Sequence, residues 1–183
     1  VALRLQEGQQ GDQRGDLTLD RLTILPDDHG RPVVGNTKGY IKEQGAECSV
    51  SISHSGDYAM ALACQDQHCG IDLQQVSDKL PSLTRYFASE EELALLSERV
   101  DIGNEITRLT LLWTVKESLK KSALHDQSMI FSGIEVKEIR AASNDGGHGE
   151  WLVIAAVQGY AQPQKVLVHD FQDYVLAISR HSR

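Results

Sequence analysis

The sequence predicts an α+β fold, and three observations carry that prediction. Apolar residues alternate with small or polar ones from Cys48 to Leu73. A capped stretch of helical period follows from Ser89 to about Leu124, and the two-residue period returns from Ile134 to Ser179. Strands, then helices, then strands is the order of an α+β chain rather than of a regular βαβ series. With 183 residues, 40% apolar and 24% charged, the chain has an ordinary globular composition. It is long enough for one large domain or two small fused ones.

Residues 1–24 are poorly patterned and mostly polar, and are expected as a loop or frayed terminus. The chain starts at Val1 rather than Met, so a processed or truncated start is expected. Val50 and Ile52 alternate with serines, Ser55-Gly56-Asp57 reads as a turn, and Tyr58, Met60, Leu62 and Cys64 alternate with alanines. That pattern predicts a hairpin. A short run from Cys69 to Leu73 predicts a third strand, carrying an Asp72 that a mostly apolar strand does not need for stability. Ser89 followed by Glu92 fits a capping box. From Glu105 to about Leu124 a longer helix is predicted, with Ile106, Leu109, Leu112, Trp113, Leu119 and Ala123 on a broad apolar arc. Lys116, Glu117 and Lys120 fall in or beside that arc, so these charges are expected to meet a ligand or a partner. Strands are predicted again over 134–139, 151–160 and in two runs within 165–179, with a long hairpin connection at 144–149. A division into an N-terminal half, 25–78, and a C-terminal half, 79–183, fits this order.

Charge and composition exclude several classes. Lys and Arg number 18 against 26 Asp and Glu, a net charge of -8, which argues against general nucleic-acid binding. No apolar run approaches the ~20 residues that span a bilayer, and no leader pattern opens the chain. Cys48, Cys64 and Cys69 are an odd number without a secretory context, so reduced thiols and a cytoplasmic location are expected. Cys64, His68 and Cys69 lack the spacing of a zinc site.

Five short motifs occur in order: Gly30-Arg31-Pro32, Ser53-His54-Ser55-Gly56, Gly70-Ile71-Asp72-Leu73-Gln74, Arg85-Tyr86-Phe87 before an acidic helix, and Trp113 through Lys121. In these residues the chain resembles the 4'-phosphopantetheinyl transferases, of the larger two-lobed type. The resemblance covers about residues 25 to 180. It implies two similar α+β halves related by a pseudo-twofold axis, with coenzyme A in the cleft between them. It further implies transfer of the phosphopantetheine arm of coenzyme A to a serine of an acyl or peptidyl carrier protein, releasing 3',5'-ADP.

Under that resemblance Asp72 and Glu117 would ligate Mg²⁺ with the pyrophosphate oxygens, since hard cations take oxygen ligands. Gln74 stands where the family often has Glu; its amide oxygen could join the metal but brings no charge, so weaker metal binding is expected. Lys121 would stabilise the leaving phosphate and Lys116 would contact the phosphates, whereas Lys120 has no matching role. Glu117 is also a candidate general base. Arg31, Ser53 and His54 match positions that bind the nucleotide's phosphates. Phe87 and the acidic helix lie where the family docks its carrier, with Glu90, Glu91 and Glu92 expected to be solvated. The family type has several tens more N-terminal residues, which supply basic contacts to the 3'-phosphate. A monomer is expected, because both halves of the cleft come from one chain. Two other readings remain: a non-catalytic module binding coenzyme A or a carrier protein, and a metal-dependent nuclease, which the acidic charge disfavours.

Overall fold

A computed structural model describes residues 22–36, 39–40, 48–65, 67–101, 103–124, 131–143, 149–171 and 173–182. Residues 1–21 of the expected N-terminal loop, and 144–148 of the expected hairpin connection, lie outside the described residues. Two antiparallel sheets and a set of helices make a mixed α+β structure.

The first sheet is built from β1 (Leu22–Pro26), β2 (Pro32–Asn36), β3 (Gly39–Tyr40), β4 (Cys48–Ser55) and β5 (Tyr58–Gln65). Its order is β1-β2-β4-β5, with β3 paired to β2. The β1–β2 turn is closed by Asp27, whose carboxylate accepts the backbone N–H of His29 and Arg31. Gly30 takes φ +79° there, a left-handed conformation that costs glycine little.

The second sheet runs β6 (Gln67–Gln75), β10 (Tyr174–Ser182), β9 (Gln164–Phe171), β8 (Glu150–Val157) and β7 (Ile134–Ser143). Between β6 and β7 lie all the helices of the described residues: α1 (Leu80–Leu83), α2 (Glu90–Arg99) and α3 (Glu105–Ala123), with short 3₁₀ turns beside them. The Ser89 and Glu92 capping box is formed in full at the start of α2. Asn104 caps α3 through the N–H of Thr107. Leu111, Leu112, Val115 and Leu119 of α3 meet Val153, Ala155, Val166, Val168, Val175 and Ala177 of the sheet in one core. Full burial of each such Val or Leu contributes about 1.5–3 kcal/mol. Among the described residues, no helix is long and apolar enough to cross a membrane.

β6 joins the two sheets. Its sequence neighbours are in the first sheet, yet its backbone pairs with β10 of the second, Asp72 standing opposite Ala177. Its other edge is closed by side chains. The hydroxyls of Ser49, Ser51, Ser53 and Ser55, alternate residues of β4, accept the backbone N–H groups of Cys69, Ile71, Leu73 and Gln75 in turn. An open strand edge would otherwise leave these donors unpaired. Each such bond contributes about 0.5–1.5 kcal/mol net. This also explains why β4 carries serine at every second position, facing the second sheet instead of an apolar core. With α3 on one face and the first sheet against the other, Cys69 through Leu73 are all buried.

Candidate active site

α3 reaches β6 because small residues line the contact. A Cβ on Gly70 would stand 1.9 Å from the Ser118 carbonyl oxygen, so only glycine lets the helix backbone sit this close. Ser179 of β10 donates to that same carbonyl and pairs with Ser122 at 2.8 Å. Gly70 and Asp72 project from one face of β6, and Ser118 is flanked by Glu117 in α3. The close approach at Gly70 therefore carries the acidic and basic end of α3 to Asp72.

Asp72 is a buried carboxylate, with its side chain 8% exposed. Lys121 Nζ lies 2.7 Å from its Oδ1, and Ser53 Oγ donates to the same oxygen at 2.9 Å. Its Oδ2 is buried with no hydrogen-bond partner among the described residues. Burial pushes the Asp72 carboxyl above the usual carboxylate range; Lys121 and Ser53 oppose this, and the negative charge of Glu117 adds to it. Glu117 is thus near enough to act on Asp72 electrostatically. It is itself half-buried, 3.5 Å from Lys120. Lys121 ties the sheets together: beyond Asp72, its ammonium donates to the Ile71 carbonyl at 3.1 Å and the Ile52 carbonyl at 3.4 Å.

Beside this cluster opens a cleft of about 280 Å³. One wall is the β1–β2 turn, with His29, Gly30, Arg31 and Pro32; another is β4, with Val50, Ser51 and Ile52; the third is α3, with Glu117, Lys120 and Lys121. Three cations and one carboxylate therefore face a single space. Arg31 also forms an ion pair with Asp27 at 3.3 Å, which steadies the turn that presents it.

Other expected site residues lie elsewhere. His54 is exposed on the same face of β4 as Ile52 but does not line the cleft. Gln74 follows Asp72 on the same face of β6, its amide nitrogen turned back onto the Gln75 carbonyl. Lys116 is not brought to the cluster: its side chain is 3% exposed and its ammonium lies 2.7 Å from Glu92. Glu92, expected to be solvated, is buried; it also accepts the N–H groups of Ser89 and Val136. Burial lowers the Lys116 pKa, and Glu92 partly restores it. Phe87 is buried against Trp113, ring centroids 5.3 Å apart, so its ring offers no docking surface. Its neighbours Leu83 and Tyr86 are exposed instead.

The sequence pattern of the 4'-phosphopantetheinyl transferase superfamily matches residues 68–179. The chain belongs to this superfamily. Among curated proteins, none matches the chain. Membership carries the general activity, a transferase that moves phosphopantetheine. The matched span runs from β6 to β10 and holds Asp72, Gln74, Lys116, Glu117 and Lys121; Arg31 in the β1–β2 turn and Ser53 and His54 on β4 lie outside it. Among the polar cleft residues, His29 and Ser51 were not singled out by the sequence, and Lys120 was expected to meet a ligand or a partner but had no role assigned to it. A signal for Lys120 exists: it follows Glu117 by three residues and so shares its helix face.

Proposed function

We propose that the protein transfers the 4'-phosphopantetheine arm of coenzyme A to a serine of an apo acyl or peptidyl carrier protein, releasing 3',5'-ADP. The observation that carries this reading is the convergence of Asp72, Glu117 and Lys121 beside a cleft that Arg31 enters from the first sheet. The superfamily generally uses Mg²⁺, and the residues here suit it. Among the described residues no group of three His, Cys, Asp or Glu side chains gathers at one point. Two carboxylates with substrate phosphates are, however, a usual magnesium donor set, and the partnerless Oδ2 of Asp72 is a hard oxygen of the required kind. Asp72 and Glu117 would hold the ion, with the Gln74 amide oxygen as a third donor on the same face. Bound there, the ion would supply positive charge to the pyrophosphate oxygens.

The chain's own residues do the rest. Arg31 grips phosphate with its forked donors; His54, exposed on β4 outside the cleft lining, would reach only a part of the nucleotide that extends beyond the cleft. Lys121 faces the departing phosphate; a phosphate oxygen would take the place of its longest contact, the 3.4 Å bond to Ile52, and stabilise charge as it builds. Lys120 adds a second ammonium on the same wall. Glu117, half-buried at the cleft wall, would accept the proton of the carrier serine as its oxygen bonds to the phosphorus and the bond to the departing 3',5'-ADP breaks. The reading extends to the two-lobed type with halves 25–78 and 79–183 about a pseudo-twofold axis, acting as a monomer in the cytoplasm. Its support is that residues before 78, in the β1–β2 turn and β4, and residues after 79, in α3, line one cleft.

The test is release of 3',5'-ADP from coenzyme A, Mg²⁺ and an apo carrier protein, read by chromatography. Release by the wild type and its loss in Glu117→Gln is the expected outcome. Calorimetric binding of coenzyme A with no 3',5'-ADP would instead favour a non-catalytic binding module.

A further inference from the structure

We propose that Ser53 is a positioning residue for Asp72, and that it acts on the metal side of the site rather than on the nucleotide's phosphates. The inference rests on the reading of Asp72 as a metal ligand. A serine hydroxyl has one proton and two lone pairs. In Ser53 the proton goes to Asp72 Oδ1 at 2.9 Å, and one lone pair accepts the Leu73 N–H at 3.1 Å. What remains can only accept. A phosphate oxygen also only accepts, so Ser53 can meet one only by abandoning Asp72.

The bond has a geometric consequence. Ser53 and Lys121 both hold Oδ1, which anchors that oxygen and leaves Oδ2 without a partner among the described residues. Buried Ser53 belongs to the strand that closes the edge of β6, so its position is set by the ladder and not by a mobile loop. Of the four ladder serines, Ser53 alone is bonded to a carboxylate among the described residues. Outer hydrogen bonds of this kind orient a metal's ligands, and their removal typically weakens metal binding about 10–100-fold.

The test is a titration with Mn²⁺, an EPR-visible substitute for Mg²⁺, in the presence of coenzyme A and without a carrier protein. It is joined to calorimetry of coenzyme A without metal and to thermal unfolding. Ser53→Ala is expected to weaken Mn²⁺ binding at least about 10-fold while leaving metal-free coenzyme A affinity within about twofold; Ser53→Thr, which keeps the hydroxyl, restores Mn²⁺ binding. Ser49→Ala, which removes a ladder acceptor from Cys69, lowers the melting temperature but not Mn²⁺ affinity. If Ser53→Ala does not fold, Ser53→Cys, a weaker donor of similar size, takes its place with the same expectation. Unchanged Mn²⁺ affinity with weakened coenzyme A binding would overturn the inference and make Ser53 a phosphate contact. Wild-type protein that binds no Mn²⁺ and releases no 3',5'-ADP would overturn the functional reading itself, whereas an active wild type with an indifferent Ser53→Ala overturns only this step.

Discussion

Asp72 carries an electrostatic cost at the residue scale. Burial raises its pKa despite Lys121 and Ser53, so ionising this carboxyl costs more in the folded chain than in the unfolded one. Its contribution to stability is therefore fully present below the ordinary carboxylate range and is lost as pH climbs through the raised folded value. In metal-free buffer, Asp72→Asn should unfold at a higher temperature than wild type at neutral pH, with the gap closing near about pH 3, and should have no transferase activity. A variant less stable than wild type at every pH would show that Lys121 and Ser53 outweigh the burial. Asp72 stood out in the sequence because an acid in an apolar strand is costly unless something uses it. Lys116 stood out for the same reason, inside an apolar helical arc, but its partner Glu92 lies on another helix. Periodicity reports which face a charge occupies and says nothing of what that face meets.

The contact of α3 with β6 sets the site at the element scale. Gly70→Ala would drive a Cβ into the Ser118 backbone carbonyl, and backbone cannot turn aside as a side chain can. A loss at or above the usual ~1–3 kcal/mol of overpacking is expected, read as a lower denaturant midpoint, together with weaker metal binding as α3 moves from Asp72. The buried Lys116 and Glu92 pair fastens α2 to α3. Lys116→Met leaves Glu92 buried and uncompensated, and should lose about 3–5 kcal/mol while Mn²⁺ affinity stays near wild type. If stability held and coenzyme A affinity fell, Lys116 would be a phosphate contact after all. Most of this layer could be read in advance: the hairpin of β4 and β5, the capped α2, the long α3 and the closing strands follow from period and caps. The serine ladder could not, because alternate serines look like a solvent face until the second strand edge is known.

Two sheets and one cleft make the site at the scale of the whole molecule. The mixed α+β class was legible from element order alone. That β6 leaves its sequence neighbours to pair with β10, 109 residues from Gly70 to Ser179, was not, since strand partnership over such distances depends on edges that local pattern does not encode. The consequence is positional: Asp72 on β6 is bonded to Ser53 of the first sheet and to Lys121 of α3, and Lys121 and Glu117 line a cleft whose facing wall is the β1–β2 turn with Arg31. The most direct measurement is the intact mass of an apo carrier protein after incubation with the protein, coenzyme A and Mg²⁺. A gain of one phosphopantetheine is expected with wild type and none with Asp72→Asn; carrier mass unchanged by wild-type protein across several acyl and peptidyl carriers would contradict phosphopantetheine transfer by this chain.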